Sequence, residues 1–303
     1  MDSGSPSRQP AQTGLSQQLT WFTREGKALT TVGAPGGHEQ LLLSPDGTRA
    51  IYRDVVSTVA GDLWVTDLTR GINDRFTSGR TVGGFPVWSP DAARVAFRSG
   101  QDLFVKPSSG GGDAERLLKA ETQASPTSWS PDGKFLLLTV IGLNSLLDVQ
   151  VLTTDAGHRV GSFLKTQYNE SQATFSPDGR WVAYTSNESG RNEVYVRPFT
   201  PPGAERTIEG KWPVSKEGGN EPVWRQDGRE LIFRSASGAP MAVDITLTAT
   251  TFQAGIPKQL FATPPVPWSV TGDGKRFLIS MPPGQGVQVP ITIDLNWEAA
   301  LRR

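Results

Sequence analysis

The chain lacks cysteine altogether, and only two of its 303 residues are histidine, at His38 and His158. Without thiols there can be no disulfide, no thiolate nucleophile and no zinc–thiolate site. Two histidines also exclude a centre with three or more histidine ligands. No spacing of the remaining acids suits calcium or zinc, so we expect neither a metal nor a cofactor.

An excess of charge and a long apolar run are also missing. Lys plus Arg and Asp plus Glu number 30 each, and nucleic-acid binding needs a basic surface, so no nucleic-acid partner is expected. No apolar run reaches the roughly 18 residues of a spanning helix, so we expect no membrane insertion by this chain. Residues 1–17 are polar and lack the apolar stretch of a signal peptide. They are predicted to be a flexible lead-in to a single domain at 18–303.

Glycine and proline, in contrast, are abundant, with 33 and 23 residues spread along the chain. Many of them belong to one turn that occurs six times. It reads LSPDG at Leu43, WSPDA at Trp88, WSPDG at Trp129, FSPDG at Phe175, WRQDG at Trp224 and VTGDG at Val270. Proline fixes φ early in such a turn, and glycine supplies the positive φ that closes a hairpin. The aspartates are therefore predicted to form turns rather than to take part in catalysis.

The spacing of the turns predicts the fold. The turn aspartates are 45, 41, 46, 49 and 46 residues apart and are Asp46, Asp91, Asp132, Asp178, Asp227 and Asp273. A period of about 40 to 50 residues with one hairpin per unit is typical of propeller blades. Each unit also contains period-2 apolar runs that make up about four strands. We therefore predict an all-β, six-bladed propeller of four-stranded antiparallel blades.

The two ends of the chain must close this ring, because an open ring would expose strand edges. We expect the N-terminal residues to supply the outer strands of the blade that begins near Trp268. A less favoured alternative has seven blades, with the N-terminal hairpin and a C-terminal strand forming a blade of their own. Only Trp297 to Arg303 has a helical period.

The starts of the innermost strands are the candidate binding site, because in a propeller they converge on one mouth of the central channel. The predicted ligand-binding residues are His38, Glu39, Phe85, Asn169, Glu170, Asn220, Glu221 and Trp268. Three carboxylates around one mouth would favour a cationic ligand. The alternative is that these residues only cap their own strands. Loops 54–60, 140–147 and 187–192 are expected to open on the same face.

The six turns, most with an aromatic residue before them and an apolar run after, resemble the TolB-type, WD40-like propeller family over residues 19–297. The phrases SNESGRNEVYVRPF and ITIDLNWEAALRR resemble the propeller that follows the kinase domain in some bacterial serine/threonine kinase-like proteins. This resemblance implies a binding or scaffolding module and an extracytoplasmic or periplasmic location. Other family members are the propellers of prolyl-oligopeptidase-type enzymes.

Catalytic motifs are missing from the sequence: there is no Gly-x-Ser-x-Gly elbow and no kinase signature. We therefore predict a non-enzymatic module that binds a protein, a peptide or a small polar ligand at the channel mouth, with no catalytic residues. One alternative is a hydrolase or lyase on the same face, for which His38 with Glu39 or Glu170 would have to supply the base. Another is a purely structural or assembly role.

Overall fold

The computed structural model describes residues 16–55, 61–78, 83–142, 146–204, 209–248 and 251–282. These residues form six antiparallel sheets, each built from four main strands. The blade that joins the two ends of the chain combines β1 (Gln17–Thr23) and β2 (Ala28–Gly36) with the last two strands described below. The stretch 297–303 lies outside the described residues.

Five blades follow one another along the chain, each with its strands in sequence order. Blades 1 and 2 contain β3 (His38–Leu43), β4 (Arg49–Asp54), β5 (Asp62–Asp67) and β6 (Ile72–Arg75), followed by β7 (Gly83–Trp88), β8 (Arg94–Ser99), β9 (Asp102–Pro107) and β10 (Glu115–Leu118). Blades 3 and 4 contain β11 (Ala124–Trp129), β12 (Phe135–Ile141), β13 (Leu147–Thr153) and β14 (Val160–Leu164), followed by β15 (Glu170–Phe175), β16 (Trp181–Ser186), β17 (Glu193–Pro198) and β18 (Trp212–Pro213). Blade 5 contains β19 (Gly219–Trp224), β20 (Glu230–Ser235), β21 (Pro240–Leu247) and β22 (Phe252–Ala254). A short strand, β23 (Lys258–Gln259), also pairs with β21.

Blade 6 is the closing blade, in the order β2-β1-β25-β24, with β24 (Trp268–Val270) innermost and β25 (Arg276–Met281) beside it. Strand β1 pairs with β25 along its length, from Gln18 opposite Met281 to Thr23 opposite Arg276. The predicted six-bladed ring with a shared blade is therefore confirmed. Because β1 begins at Gln17, the strand includes the last residue of the predicted lead-in.

The core lies between blades rather than inside any one of them, because alternate side chains of a strand point to opposite faces of the sheet. Trp181 and Val196 of blade 4, for example, pack with Trp224 and Phe233 of blade 5 in one buried cluster. Each blade therefore depends on its neighbours for burial of its apolar faces.

The six turns have the geometry that their sequence predicts. In the second turn, the Asp91 carboxylate accepts hydrogen bonds from the Ser89 hydroxyl, at 2.5 Å, and from the Ala93 N–H, at 3.0 Å. The Ser89 hydroxyl oxygen in turn accepts the Arg94 N–H at 2.9 Å. The hydrogen bond from Ser89 contributes most to lowering the pKa of Asp91. All six turn aspartates accept such local hydrogen bonds, so their role as turn formers is confirmed.

The last turn position has a positive φ in every repeat, including the second, where alanine replaces glycine. Gly133 has a φ of 74° and Gly179 one of 70°, and Ala92 is held at 56°. A Cβ atom at Gly133 would meet nothing within 4 Å. A substitution at Gly133 therefore tests backbone conformation alone, without a steric clash.

We expect Gly133→Val to lower the free energy of unfolding by more than about 1 kcal/mol, because a β-branched residue resists positive φ. Ala92→Gly should be neutral or stabilising, since it removes an alanine from the same conformation. Urea denaturation of both variants would measure the two effects. Equal changes in the two variants would contradict a conformational origin.

Candidate functional site: the channel mouth

A channel runs through the middle of the ring and is lined by residues of all six innermost strands. Its volume is about 730 Å³. One end, which we call the mouth, is where the innermost strands begin, and Gln172, Glu221 and Trp268 lie there. The other end is surrounded by the turns and includes Pro45 and Pro90.

Four innermost strands contain a non-glycine residue at positive φ at one shared position of the mouth, six residues before the turn aspartate. These residues are Gln40 at 52°, Phe85 at 54°, Gln172 at 55° and Glu221 at 51°. The pairing register of these strands shifts at the same place, so each residue lies in a β-bulge. In blades 3 and 6 this position holds Pro126 and Pro267, and proline cannot adopt positive φ.

The side chains of two bulge residues connect neighbouring blades. The Gln40 side-chain carbonyl accepts the Phe85 N–H at 2.7 Å, which links blade 1 to blade 2. The Gln172 side-chain carbonyl accepts the Glu221 N–H at 3.1 Å, which links blade 4 to blade 5. These bonds satisfy two backbone donors that the bulges remove from the strand ladder, and they hold the mouth in one shape.

Three arginines occupy a second shared position, seven residues after the turn aspartate. Arg53, Arg98 and Arg234 pair in register with Glu39, Gly84 and Asn220 respectively. Arg98 stacks on the Phe85 ring at 4.7 Å, and Arg234 stacks on the Trp268 ring at 4.9 Å. Two of the three arginines therefore stack on an aromatic side chain at the mouth.

Four predicted site residues lie at the mouth. Glu39 is exposed and 3.4 Å from Arg53, and Glu221 is exposed and 2.8 Å from Arg234. Phe85 is 38% exposed, whereas Trp268 is buried but still lines the channel. An exposed phenylalanine in a strained backbone conformation is unusual for a residue with only a structural role.

Two of the other predicted residues are buried next to the mouth. His38 is 1% exposed, lies 3.1 Å from the Ser280 hydroxyl, and packs edge-on against Tyr52. Glu170 is 2% exposed and accepts a hydrogen bond from the Thr166 hydroxyl at 2.6 Å. Burial raises the pKa of Glu170 and lowers that of His38 to about 4.

The two predicted asparagines are partly buried. Asn169 caps local structure: its side-chain carbonyl accepts the Leu147 N–H and its own N–H donates to Asn187, both at 2.9 Å. The side-chain oxygen of Asn220 is buried without a hydrogen-bond partner among the described residues. Residues 56–60 and 143–145 of the predicted mouth loops lie outside the described residues.

The three predicted acids occupy three different positions of the repeat. Glu39 lies opposite Arg53, Glu170 opposite Ser186, and Glu221 at the bulge. Of these three carboxylates, only those of Glu39 and Glu221 are exposed. Ligand binding by the eight residues stays a prediction, and the geometry adds Gln40, Gln172 and the three arginines to the candidate site. The shared distance of these arginines from the turn aspartate was the signal in the sequence that could have found them.

Two further features of the described residues bear on chemistry. No group of three His, Cys, Asp or Glu side chains comes together there in a way that could hold a metal ion. Within the same ranges, no helix has the length and apolarity needed to cross a membrane.

Comparison with known proteins extends the fold assignment. A protein assigned as TolB from Agrobacterium tumefaciens superposes with a TM-score of 0.67 at 17% identity, over 88% of this chain and 98% of that one. The chain has a TolB-like β-propeller fold. The structure of an oligogalacturonate lyase in complex with manganese superposes with a TM-score of 0.50 at 12% identity, over 88% of this chain and 97% of that one.

Sequence comparison finds an uncharacterized peptidase of Bacillus subtilis, YuxL, which is 25% identical over 203 residues. The match covers 50% of this chain and 31% of that protein, so the chain spans about a third of this curated relative. No protein-family model matches the chain. The narrower resemblance to kinase-associated propellers is not confirmed by these relatives.

Proposed function

We propose that the chain is a non-enzymatic binding module that holds a peptide segment of a partner protein at the channel mouth. One observation carries the proposal: four bulges place non-glycine residues at positive φ around the mouth, and one of them is the exposed Phe85. Left-handed backbone costs such residues roughly 1 kcal/mol or more and is concentrated at functional sites. Aromatic side chains, phenylalanine included, are also enriched where proteins bind one another.

The alternative of a hydrolase or lyase on the same face has less support. The YuxL relative is named a peptidase and one similar structure is a lyase, but at 25% and 12% identity. His38, the histidine that this alternative would need as its base, is buried and hydrogen-bonded within the ring closure. A base must reach the proton that it removes from the substrate, and His38 is not accessible from the mouth.

The preference for a cationic ligand stays a prediction, and the carboxylates on which it was based are not free at the mouth. Glu39 and Glu221 are each paired with an arginine, and Glu170 is buried. A screen should therefore compare basic, acidic and neutral peptides together with polyamines and neutral sugars. The variant that combines Glu39→Gln and Glu221→Gln would measure what the two exposed carboxylates contribute.

We expect a displayed random peptide library, selected on the full chain, to yield sequences whose binding requires Phe85. Phe85→Gly should weaken them by about tenfold or more, since it removes the aromatic contact. The same substitution should leave the chain folded, because glycine adopts positive φ without strain and this offsets part of the lost contact between the ring and Arg98. Fluorescence anisotropy and thermal melting would measure the two effects.

Ile72→Ala is the matched control, since Ile72 is 50% exposed on the outermost strand of blade 1, away from the mouth. It should leave peptide binding unchanged. Selected peptides that bind Phe85→Gly as well as the parent chain would place the binding surface elsewhere and contradict the proposal.

A further inference from the structure

Arg53 and Arg98 at the mouth are less completely paired with acids than the third arginine, Arg234. Arg234 has a carboxylate partner, Glu221 at 2.8 Å, and also donates to the Val266 carbonyl at 3.0 Å. Arg98 occupies the same repeat position and stacks on an aromatic ring in the same way, but it donates to neutral groups. These are the Gln123 side-chain carbonyl at 2.6 Å and the Ser125 hydroxyl at 3.2 Å.

No carboxylate of the described residues lies within ion-pair distance of Arg98. Among the described residues, the one carboxylate within ion-pair distance of its neighbour Arg53 is that of Glu39, at 3.4 Å, and the Glu39 side chain is 51% exposed. The Nε–H groups of both arginines are buried without a hydrogen-bond partner in the described ranges. Partly buried cations are normally paired with acids, so the charge of Arg98 is not compensated by a described carboxylate and that of Arg53 is compensated only by the half-exposed Glu39.

The two arginines are neighbours around the mouth. Gln40, which follows Glu39, accepts the Phe85 N–H, and the Phe85 ring lies under Arg98. A chain of contacts from Glu39 and Gln40 to Phe85 therefore joins Arg53 of blade 1 to Arg98 of blade 2. Partial burial, followed by the like charge of Arg53, lowers the pKa of Arg98. A bound anion would relieve that repulsion.

We propose that Arg53 and Arg98 bind a carboxylate group of a peptide or protein partner, while the Phe85 ring contacts the apolar part of the same segment. The guanidinium fork matches a planar carboxylate and can bind it through two parallel hydrogen bonds. The exposed ring beside Arg98 favours a carboxylate that is attached to an apolar group over a bare inorganic anion. This inference rests on the proposed peptide-binding function and specifies the chemistry of the ligand.

The test compares a pair of blocked peptides that differ in one group with a peptide that has a free carboxyl terminus. The probes are acetyl-Gly-Phe-Glu-Gly-amide, its Gln analogue, and acetyl-Gly-Gly-Phe with a free carboxyl terminus, titrated into the full chain by NMR or calorimetry. We expect one of the carboxylate peptides to bind at least about fivefold more tightly than the Gln peptide, and less tightly at high salt. Comparison of the two carboxylate peptides distinguishes a side-chain source from a terminal one.

Arg98→Gln should abolish the preference for carboxylate, and Arg98→Lys should reduce it, because lysine keeps the charge but not the fork. Arg53→Gln provides a second, independent loss of preference in case Arg98→Gln affects folding. Arg180→Gln is the matched control, since Arg180 lies at a turn on the opposite side and pairs with Asp178 at 2.7 Å. It should leave the preference unchanged.

Equal binding of the Glu, Gln and free-terminus peptides would overturn the inference, as would a preference that survives both Arg98→Gln and Arg53→Gln. Failure of any carboxylate peptide to bind below about 5 mM would also overturn it. Tighter binding of inorganic phosphate than of the peptides would assign the site to a phosphate group instead. If library peptides bind through Phe85 without an acidic residue, the carboxylate inference fails while the proposed binding function stands.

Discussion

Removal of residues 1–36 is expected to abolish cooperative folding, whereas removal of residues 1–15 should leave the melting curve unchanged. The longer deletion removes β1 and β2, and with them the buried side chains Leu19, Trp21 and Phe22. Burying three such side chains contributes roughly 5 to 9 kcal/mol, which is comparable with the whole stability of a typical domain. The deletion also exposes the edge of β25, which invites aggregation.

A peptide of residues 16–36, added to the longer truncation, should restore a single cooperative transition, because it can pair with β25 as β1 does in the intact ring. Calorimetry and light scattering would measure folding and aggregation together. The matched control is the same peptide with Leu19→Asp, which places a charge at a fully buried position. If both truncations melt alike, the closing blade does not hold the ring together.

The fold was predictable because its signal is local and repeated. Proline, aspartate and glycine determine the turn through their own backbone preferences, so each of the six turns could be recognised without any knowledge of its neighbours. Ala92 shows how strong the repeat is, since it adopts a φ of 56° in place of glycine. The closing blade was predictable for a physical reason, namely that a ring must cover its strand edges.

The mouth was harder to predict because the bulges change which residues face one another. Counting back from the turns grouped Glu39, Glu170 and Glu221 together, although a difference of one residue moves a side chain to the other face of a strand. Glu170 consequently has the same buried position in its strand as His38. His38 pairs with Asp54, one residue after Arg53, and Glu170 pairs with Ser186 at the equivalent place in blade 4. The roles of Gln40 and Gln172 depend on contacts between blades, which no single repeat contains.

Acidification from about pH 7.5 to pH 5 is expected to lower the free energy of unfolding by about 2 kcal/mol through one histidine. His38 is buried where blade 1 meets the closing blade: its ring lies 3.1 Å from the Ser280 hydroxyl, which donates to the Gln17 side chain at 2.7 Å. Burial lowers the pKa of His38 from 6.5 to about 4. The nearby Asp54 pairs with His38 in register, but its carboxylate accepts the Gly37 N–H at 3.0 Å.

The sign of the effect follows from proton uptake. Above about pH 7.5 the imidazole is almost entirely neutral in both the folded and the unfolded chain, so the stability is complete. As the pH falls from 6.5 towards 4, only the unfolded chain takes up the proton, and the folded ring loses stability until His38 itself is protonated.

His38→Gln should remove most of this pH dependence between about pH 7.5 and pH 5, even if it lowers stability at neutral pH, since glutamine does not titrate. His158→Gln is the matched control, because His158 is the other histidine of the chain and lies in a turn of blade 3. It should leave the pH dependence intact. Urea denaturation of the three proteins at several pH values measures the effect. A pH dependence that persists in His38→Gln but disappears in His158→Gln would show that His158 causes it and would contradict the prediction.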